Sequence, residues 1–290
     1  MCNWYGYILV VISAVFFGAS SIVCKFTYAT GLAPVPVLLM QGVLSCAISW
    51  GWVLVTNQAA GISRSLLLPM LAQGIIGSFL TSLLFFIALD EMGASLTTLL
   101  VFSYPAFVLV YNAIFVGRNV TPVEKIVLVM AFLGIVFCVD LPQLGLSHMS
   151  TKGILLALGA AITYAFMNIN GERLLAEVAL PVVTAWTQTL SLMMLVAIYQ
   201  PVWMLDVSLS WQQLGLLATG GGTLLIPIMI YMAGLKRIGA GIASILSTAE
   251  IPITLFLAWL LLGETLSLLQ VAGGMLIMLS VMVLYYYRME

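Results

Sequence analysis

Long apolar runs alternate with short polar breaks along the whole chain. Ten runs reach about 20 residues, the length a helix rising 1.5 Å per residue needs to cross a roughly 30 Å hydrocarbon core. They fall at 4–24, 35–55, 66–89, 94–116, 123–141, 153–171, 182–203, 214–235, 238–262 and 266–287. The breaks carry turn formers or charge: Gly31 to Pro34, Asn57 to Gly61, Asp90-Glu91, Arg118 to Pro122, Pro142 to Lys152, Glu172 to Pro181, Asp206 to Ser210, Lys236-Arg237 and Gly263-Glu264. The junctions at 90–93 and 236–239 are so short that they demand tight helical hairpins, and no stretch is left over for a separate soluble domain. The pattern predicts an all-α integral membrane protein with ten transmembrane helices.

Composition agrees. Hydrophobic residues are 63% of the 290, against about 45–50% in soluble proteins. Charged residues are 7%, against roughly 25%, too few to cover a soluble surface of this size. A net charge of −1 gives no electrostatic footprint for nucleic acid. The cysteines Cys2, Cys24, Cys46 and Cys138 form no CxxC and no cluster with histidine, and three lie inside apolar runs, where a thiol acts as a small hydrophobe. No disulfide framework and no metal site is expected. No Lys or Arg precedes the first run, which is too long for a signal-peptide core, so it reads as a retained helix.

Lysines and arginines set the expected orientation. With the N-terminus cytoplasmic, the inner segments hold Arg64, Arg118, Lys125, Arg173, Lys236, Arg237 and Arg288, and the outer ones only Lys25 and Lys152. An even number of spans returns the C-terminus to the cytoplasm. The expected location is the cell membrane.

Self-comparison shows an internal repeat. At a shift of 147, Gly6 meets Gly153, Ala14 meets Ala161, Lys25 meets Glu172, Pro34 meets Pro181 and Gln41 meets Gln188. At a shift of 146, Gly74 meets Gly220, Leu89 meets Leu235, Gly93-Ala94 meets Gly239-Ala240, and Gly117 meets Gly263. Pro105 and Pro252 are offset by one more residue. The expected halves are 1–145 and 146–290. Each has five helices, an odd number, so the second half enters the membrane in the opposite sense. Two inverted repeats about a midplane site are the architecture of many secondary transporters.

The segment Glu250-Ile251-Pro252, followed by Ala258 to Glu264 (AWLLLGE), Gln270, Gly273-Gly274 and Ile277, resembles the EamA-type transporters of the drug/metabolite transporter superfamily. The likeness is to that family's E-P, L-G-E and Q-x-x-G pattern near the end of the second repeat. In helix count and repeat it extends over the whole chain. Two positions depart from it: Gly117-Arg118 stands where the family often has Gly-Glu, and Gln41 where an arginine often opens the second helix. The resemblance implies a permease for small organic metabolites, commonly amino acids or related compounds, usually moved outward. It leaves open proton exchange or facilitated diffusion.

Glu250 is the sharpest site candidate. It sits near the middle of an apolar span, where a charged side chain costs roughly 2.5–3.5 kcal/mol or more. It reads as a proton site or a contact for a substrate amine, or else as a buried carboxyl beside Pro252. Tyr164, Asn168 and Glu172 share one face of the sixth helix, opposite in the repeat to Phe17, Ser21 and Lys25. Both faces are candidate cavity walls, with Lys25 and Glu172 as helix-end charges. Gln41 and Gln188 read as symmetric cavity walls or as interhelical glue. Tyr104, Phe17 and Trp186 are candidate aromatic walls. The stripes Gly74, Gly77, Ser78 and Ala240, Ala243, Ser244 read as close helix contacts. Trp4, Tyr5, Trp203, Trp211 and Tyr285 to Tyr287 read as interfacial anchors.

A competing class is an intramembrane enzyme, or a flippase with a lipid substrate. The chain has one histidine, His148, and carries no HExxH, paired membrane aspartates or G-x-S-x-G. No cofactor is expected. The expected partners are a small-molecule substrate and the lipid bilayer, with a homodimer left open.

Overall fold

The computed structural model describes residues 4–32, 34–58, 61–117, 120–139, 150–200 and 210–289. The expected repeat boundary at 145/146, the anchor Trp203, His148 and Arg118 lie outside the described residues. Among the described residues, ten helices are long and apolar enough to cross a membrane. They are α1 (Trp4–Ala29), α2 (Pro34–Val55), α3 (Arg64–Met92), α4 (Ala94–Phe115), α5 (Pro122–Val139), α6 (Thr151–Glu177), α7 (Leu180–Tyr199), α8 (Trp211–Ile238), α9 (Ala240–Leu262) and α10 (Leu268–Met289). Every span read from the sequence is present, and four of them, α1, α3, α6 and α8, are lengthened by about a turn at one end or both. Apolar count alone misses those turns, because they carry polar residues that still continue the helix.

The packing has the symmetry the repeat demands. α1 lies along α8 and against α9, and α6 lies along α3 and against α4. α2 touches α7 and α8, and α7 touches α2 and α3. α5 packs along α10. Each pairing maps onto another, or onto itself, when the helix number is shifted by five. The pseudo-two-fold axis therefore passes between α5 and α10 at one side and α2 and α7 at the other. The protein is an all-α bundle of two inverted five-helix repeats.

Backbone angles repeat as well. Gly93 and Gly239, which join α3 to α4 and α8 to α9, both have φ of 80°. Gly117 and Gly263, which follow α4 and α9, have φ of 69° and 68°. A side chain in this left-handed region is strained, so glycine at these four turns is a structural requirement. The fourth helix of each half is also interrupted at the same depth. α4 breaks between Val101 and Tyr104. α9 passes through a 3-10 turn at Ser247–Ala249. The sequence reading made each of these one continuous span. At the shift of 146, Phe102 and Ser103 meet Thr248 and Ala249, so the two breaks stand at matching depths near the middle of the bundle.

Close helix contact follows the small residues. Gly134 on α5 and Gly273 on α10 meet backbone to backbone: a Cβ at Gly273 would lie 2.6 Å from the Gly134 carbonyl oxygen. Gly6 and Gly234 do the same between α1 and α8, where a Cβ at Gly234 would lie 2.9 Å from the Gly6 carbonyl oxygen. In a bilayer, where lipid is as apolar as leucine, such approach is a main source of helix association.

α3 contains a further irregularity, a π segment at Gln73–Leu80 following Pro69. Such segments leave backbone groups that protein must satisfy. Asn170 on α6 donates to the Pro69 carbonyl at 2.9 Å and to Gln73 Oε1 at 2.8 Å. Gln73 Nε2 donates to the Met167 carbonyl at 3.1 Å. This buried amide pair holds α3 to α6.

Candidate functional site

The interruption of α9 places Glu250 in the first turn of the second half of that helix. It lies ten residues from Ala240 and twelve from Leu262, about 15 and 18 Å along the axis, so it sits near the midplane. The positive end of the half-helix partly compensates its charge. Among the described residues its carboxylate has no hydrogen-bond or ion-pair partner.

Glu250 lies in a cavity of about 550 Å³. Phe17, Ser21, Phe85 and Tyr164 line it from α1, α3 and α6, and Ser95, Thr98 and Phe102 from α4. Thr254 lies one turn beyond Glu250, and Glu264 and Gln270 stand with Ala94 and Val139 at the rim. The cavity therefore runs from the midplane to the end of the bundle that carries the α3–α4 and α9–α10 turns. At that rim Lys25 Nζ lies 2.6 Å from Glu264 Oε1, joining α1 to the turn after α9. Lys152 and Glu91 make a second pair at the same end, also at 2.6 Å.

The opposite end is packed shut. Tyr104 is fully buried behind Tyr164, with ring centroids 4.3 Å apart. Its hydroxyl is hydrogen-bonded to Ser247 Oγ and donates to the Ser244 carbonyl at 3.3 Å. Asn168 Nδ2 donates to the Tyr164 carbonyl at 2.8 Å, and Asn168 Oδ1 accepts from the Tyr231 hydroxyl. Below them Val108, Leu174, Leu235, Ile242, Ile245 and Leu246 form the main core. At the end itself the backbone N–H of Ala240 donates to Glu172 Oε2 at 2.8 Å, so Glu172 caps α9. Glu172 and its repeat mate Lys25 thus mark opposite ends, each against a turn of the second half, Glu172 at the α8–α9 turn and Lys25 at the α9–α10 turn. The repeat register also sets Asp90-Glu91 against Lys236-Arg237. One end of the bundle is acidic at its turns, the other basic.

The structure brings together four of the eight residues singled out from the sequence at or beside the cavity, Phe17, Tyr164, Glu250 and, one ring deeper, Tyr104. Asn168 lies in the packed layer beneath, where its amide is occupied. The other three lie elsewhere. Gln41 is buried against Gly220, its Nε2 3.9 Å from Cys24 Sγ. Trp186 packs edge-on against Trp50 at 5.7 Å and 71°. Gln188, on α7 like Trp186, is outside the set of lining residues. α2 and α7 face each other across the far side of the axis, where Trp50 Nε1 donates to Thr189 Oγ1 at 2.8 Å. Phe85, Thr98, Phe102 and Thr254 were missed. Thr98 shares a face with Ser95 and with Phe102, at i−3 and i+4, and that hydroxyl-bearing face was the available signal.

Comparison with known proteins fits this geometry. The profile of the EamA-like transporter family matches twice, over residues 4–139 and 151–286. The protein named Uncharacterized transporter YcbK from Bacillus subtilis (strain 168) is 27% identical over 277 residues, covering 92% of this chain and 88% of that one. A protein of known crystal structure superposes with a TM-score of 0.81 over 98% of each chain at 19% identity, a likeness of fold. With both halves matched, the chain belongs to the EamA-like transporter family.

Proposed function

We propose that the protein is a secondary permease that moves a small organic metabolite, of the size of amino acids and related compounds, across the cell membrane by alternating access. The observation that carries this is a cavity open at one end only, ending at an unpartnered carboxylate near the midplane of an inverted repeat. A site built this way reaches the other face when the two halves exchange their conformations. The halves 1–145 and 146–290 are the units that rock. The glycine turns at 93 and 239 and the paired breaks in α4 and α9 are where the backbone bends.

With the termini cytoplasmic, the basic turn at Lys236-Arg237 lies inside and the acidic turn at Asp90-Glu91 outside, as the distribution of lysine and arginine favours. The cavity then opens outward. Export is the net direction suggested by the likeness to the family. Glu250 and Tyr164 are the polar contacts of the site, with Phe17 as an apolar wall.

Counterflow in liposomes tests the reading. Purified protein is reconstituted with an internal metabolite mixture containing amino acids, amines, organic cations, nucleosides and sugars, and uptake of each labelled member is measured. Saturable uptake of a subset is expected. No uptake of any member would contradict the permease reading and favour a lipid substrate.

A further inference from the structure

The charges and rings of the cavity narrow the solute it takes. Among the described residues lining it, none is Lys, Arg or His. Its ionisable carboxyls are Glu250 and Glu264, and Glu264 is engaged by Lys25 at the rim. Phe17, Phe85, Phe102 and Tyr164 approach from four different helices, α1, α3, α4 and α6. Aromatic faces around a desolvated cation each contribute about 0.5–2 kcal/mol. A single carboxyl at the same depth, without an ion-pair partner among the described residues, supplies the counter-charge.

We propose that the solute bound beside Glu250 is an organic monocation, an amine or quaternary ammonium with an apolar body, rather than a zwitterionic amino acid or an anion. This rests on reading the cavity as the transport site. An amino acid would satisfy Glu250 with its ammonium group. Its own carboxylate would then meet only uncharged donors, the hydroxyls of Ser21, Ser95, Thr98, Tyr164 and Thr254 and the amide of Gln270, with no lining cation to offset its desolvation. An anion would face Glu250 directly, and like charges at close range in a site partly shielded from water repel strongly. The volume of about 550 Å³ is in the ordinary range for small-molecule sites, about 300–1,000 Å³.

Three probes with one aromatic body separate the classes: phenyltrimethylammonium, a permanent cation; phenylalanine, a zwitterion; and benzenesulfonate, a permanent anion. Equilibrium binding to the purified protein in detergent is expected to rank the cation at least tenfold tighter than the zwitterion, with no measurable binding of the anion. Phe102→Leu is expected to weaken cation binding several-fold, and Glu250→Gln to abolish it. The melting temperature of each variant shows that it is folded. Equal or tighter binding of phenylalanine or benzenesulfonate overturns the proposal, as does binding of none of the three. Counterflow of the metabolite mixture is a separate readout. If it proceeds while the cation does not bind, the transporter reading stands and the assignment of substrate class falls.

Discussion

Glu250→Gln is expected to abolish transport while leaving the protein as stable as before, or more so. Glutamine has the size and hydrogen-bonding reach of the carboxyl but no charge. Truncating one partner of a desolvated charged contact costs about 2–5 kcal/mol, so uptake should fall at least about thirtyfold. Folding runs the other way. The carboxyl sits near the midplane with no partner among the described residues, and an ionisable group left unpaired there is a burden on the fold. Removing that burden should hold or raise the melting temperature in detergent. A merely structural carboxyl, capping a neighbour or holding a helix, would give the reverse: a lower melting temperature with transport reduced only in proportion to the folded protein. Measuring both quantities on one preparation separates the two roles.

The second large effect lies at the seam between α5 and α10. Gly273→Val is expected to prevent a stable bundle. A Cβ at Gly273 would come within 2.6 Å of the Gly134 carbonyl oxygen, 2.7 Å of the Cys138 nitrogen and 2.8 Å of the Phe137 Cβ. Two of these are backbone atoms that cannot rotate aside. Overpacking a good core costs about 1–3 kcal/mol, and more where the neighbours are fixed. Valine adds two methyl groups beyond the clashing Cβ, so α10 must move off α5. Loss of a monodisperse peak in size-exclusion chromatography, or a melting temperature lower by many degrees, is the expected outcome. Gly51→Ala on α2, where a Cβ meets nothing within 4 Å, is the matched control. It should be neutral or slightly stabilising, since alanine favours a helix over glycine by about 1 kcal/mol. Equal behaviour of the two variants would mean that α5 and α10 are not in the contact described.

How much of this was legible in the sequence depends on the physical signal each feature leaves. The ten spans were legible because a bilayer demands about 20 apolar residues in a row. The repeat was legible through glycine, since the turns at Gly93 and Gly239 need a left-handed backbone that few other residues adopt easily. The breaks in α4 and α9 were not. Phe102-Ser103 and Ser247 to Ala249 carry no charge and no proline within the break, and a membrane helix has no amphipathic period that would stumble there. The site was partly legible for the same reason. Glu250 stands out because a carboxylate in the middle of an apolar run is costly in lipid and turns toward a cavity or a partner. Gln41 and Trp186 are equally visible as residues inside spans, yet one packs against Gly220 of α8 and the other against Trp50 of α2. In a soluble helix polarity tells the inner face from the outer one. Here lipid, seam and cavity all accept apolar residues, so Phe85 and Phe102 could not be told from lipid-facing rings until the helices were in place.

Whether one site is reached in turn from both faces is the central claim, and thiol accessibility tests it most directly. With Cys2, Cys24, Cys46 and Cys138 replaced by alanine, Thr254→Cys puts a single thiol on the cavity wall one turn from Glu250. Its reaction with a membrane-impermeant maleimide is then followed in oriented vesicles, from each face, at rest and during counterflow. The account predicts labelling from the outer face at rest, and labelling from the inner face once a transported solute drives exchange. Labelling confined to one face, and indifferent to every transported solute, would contradict it.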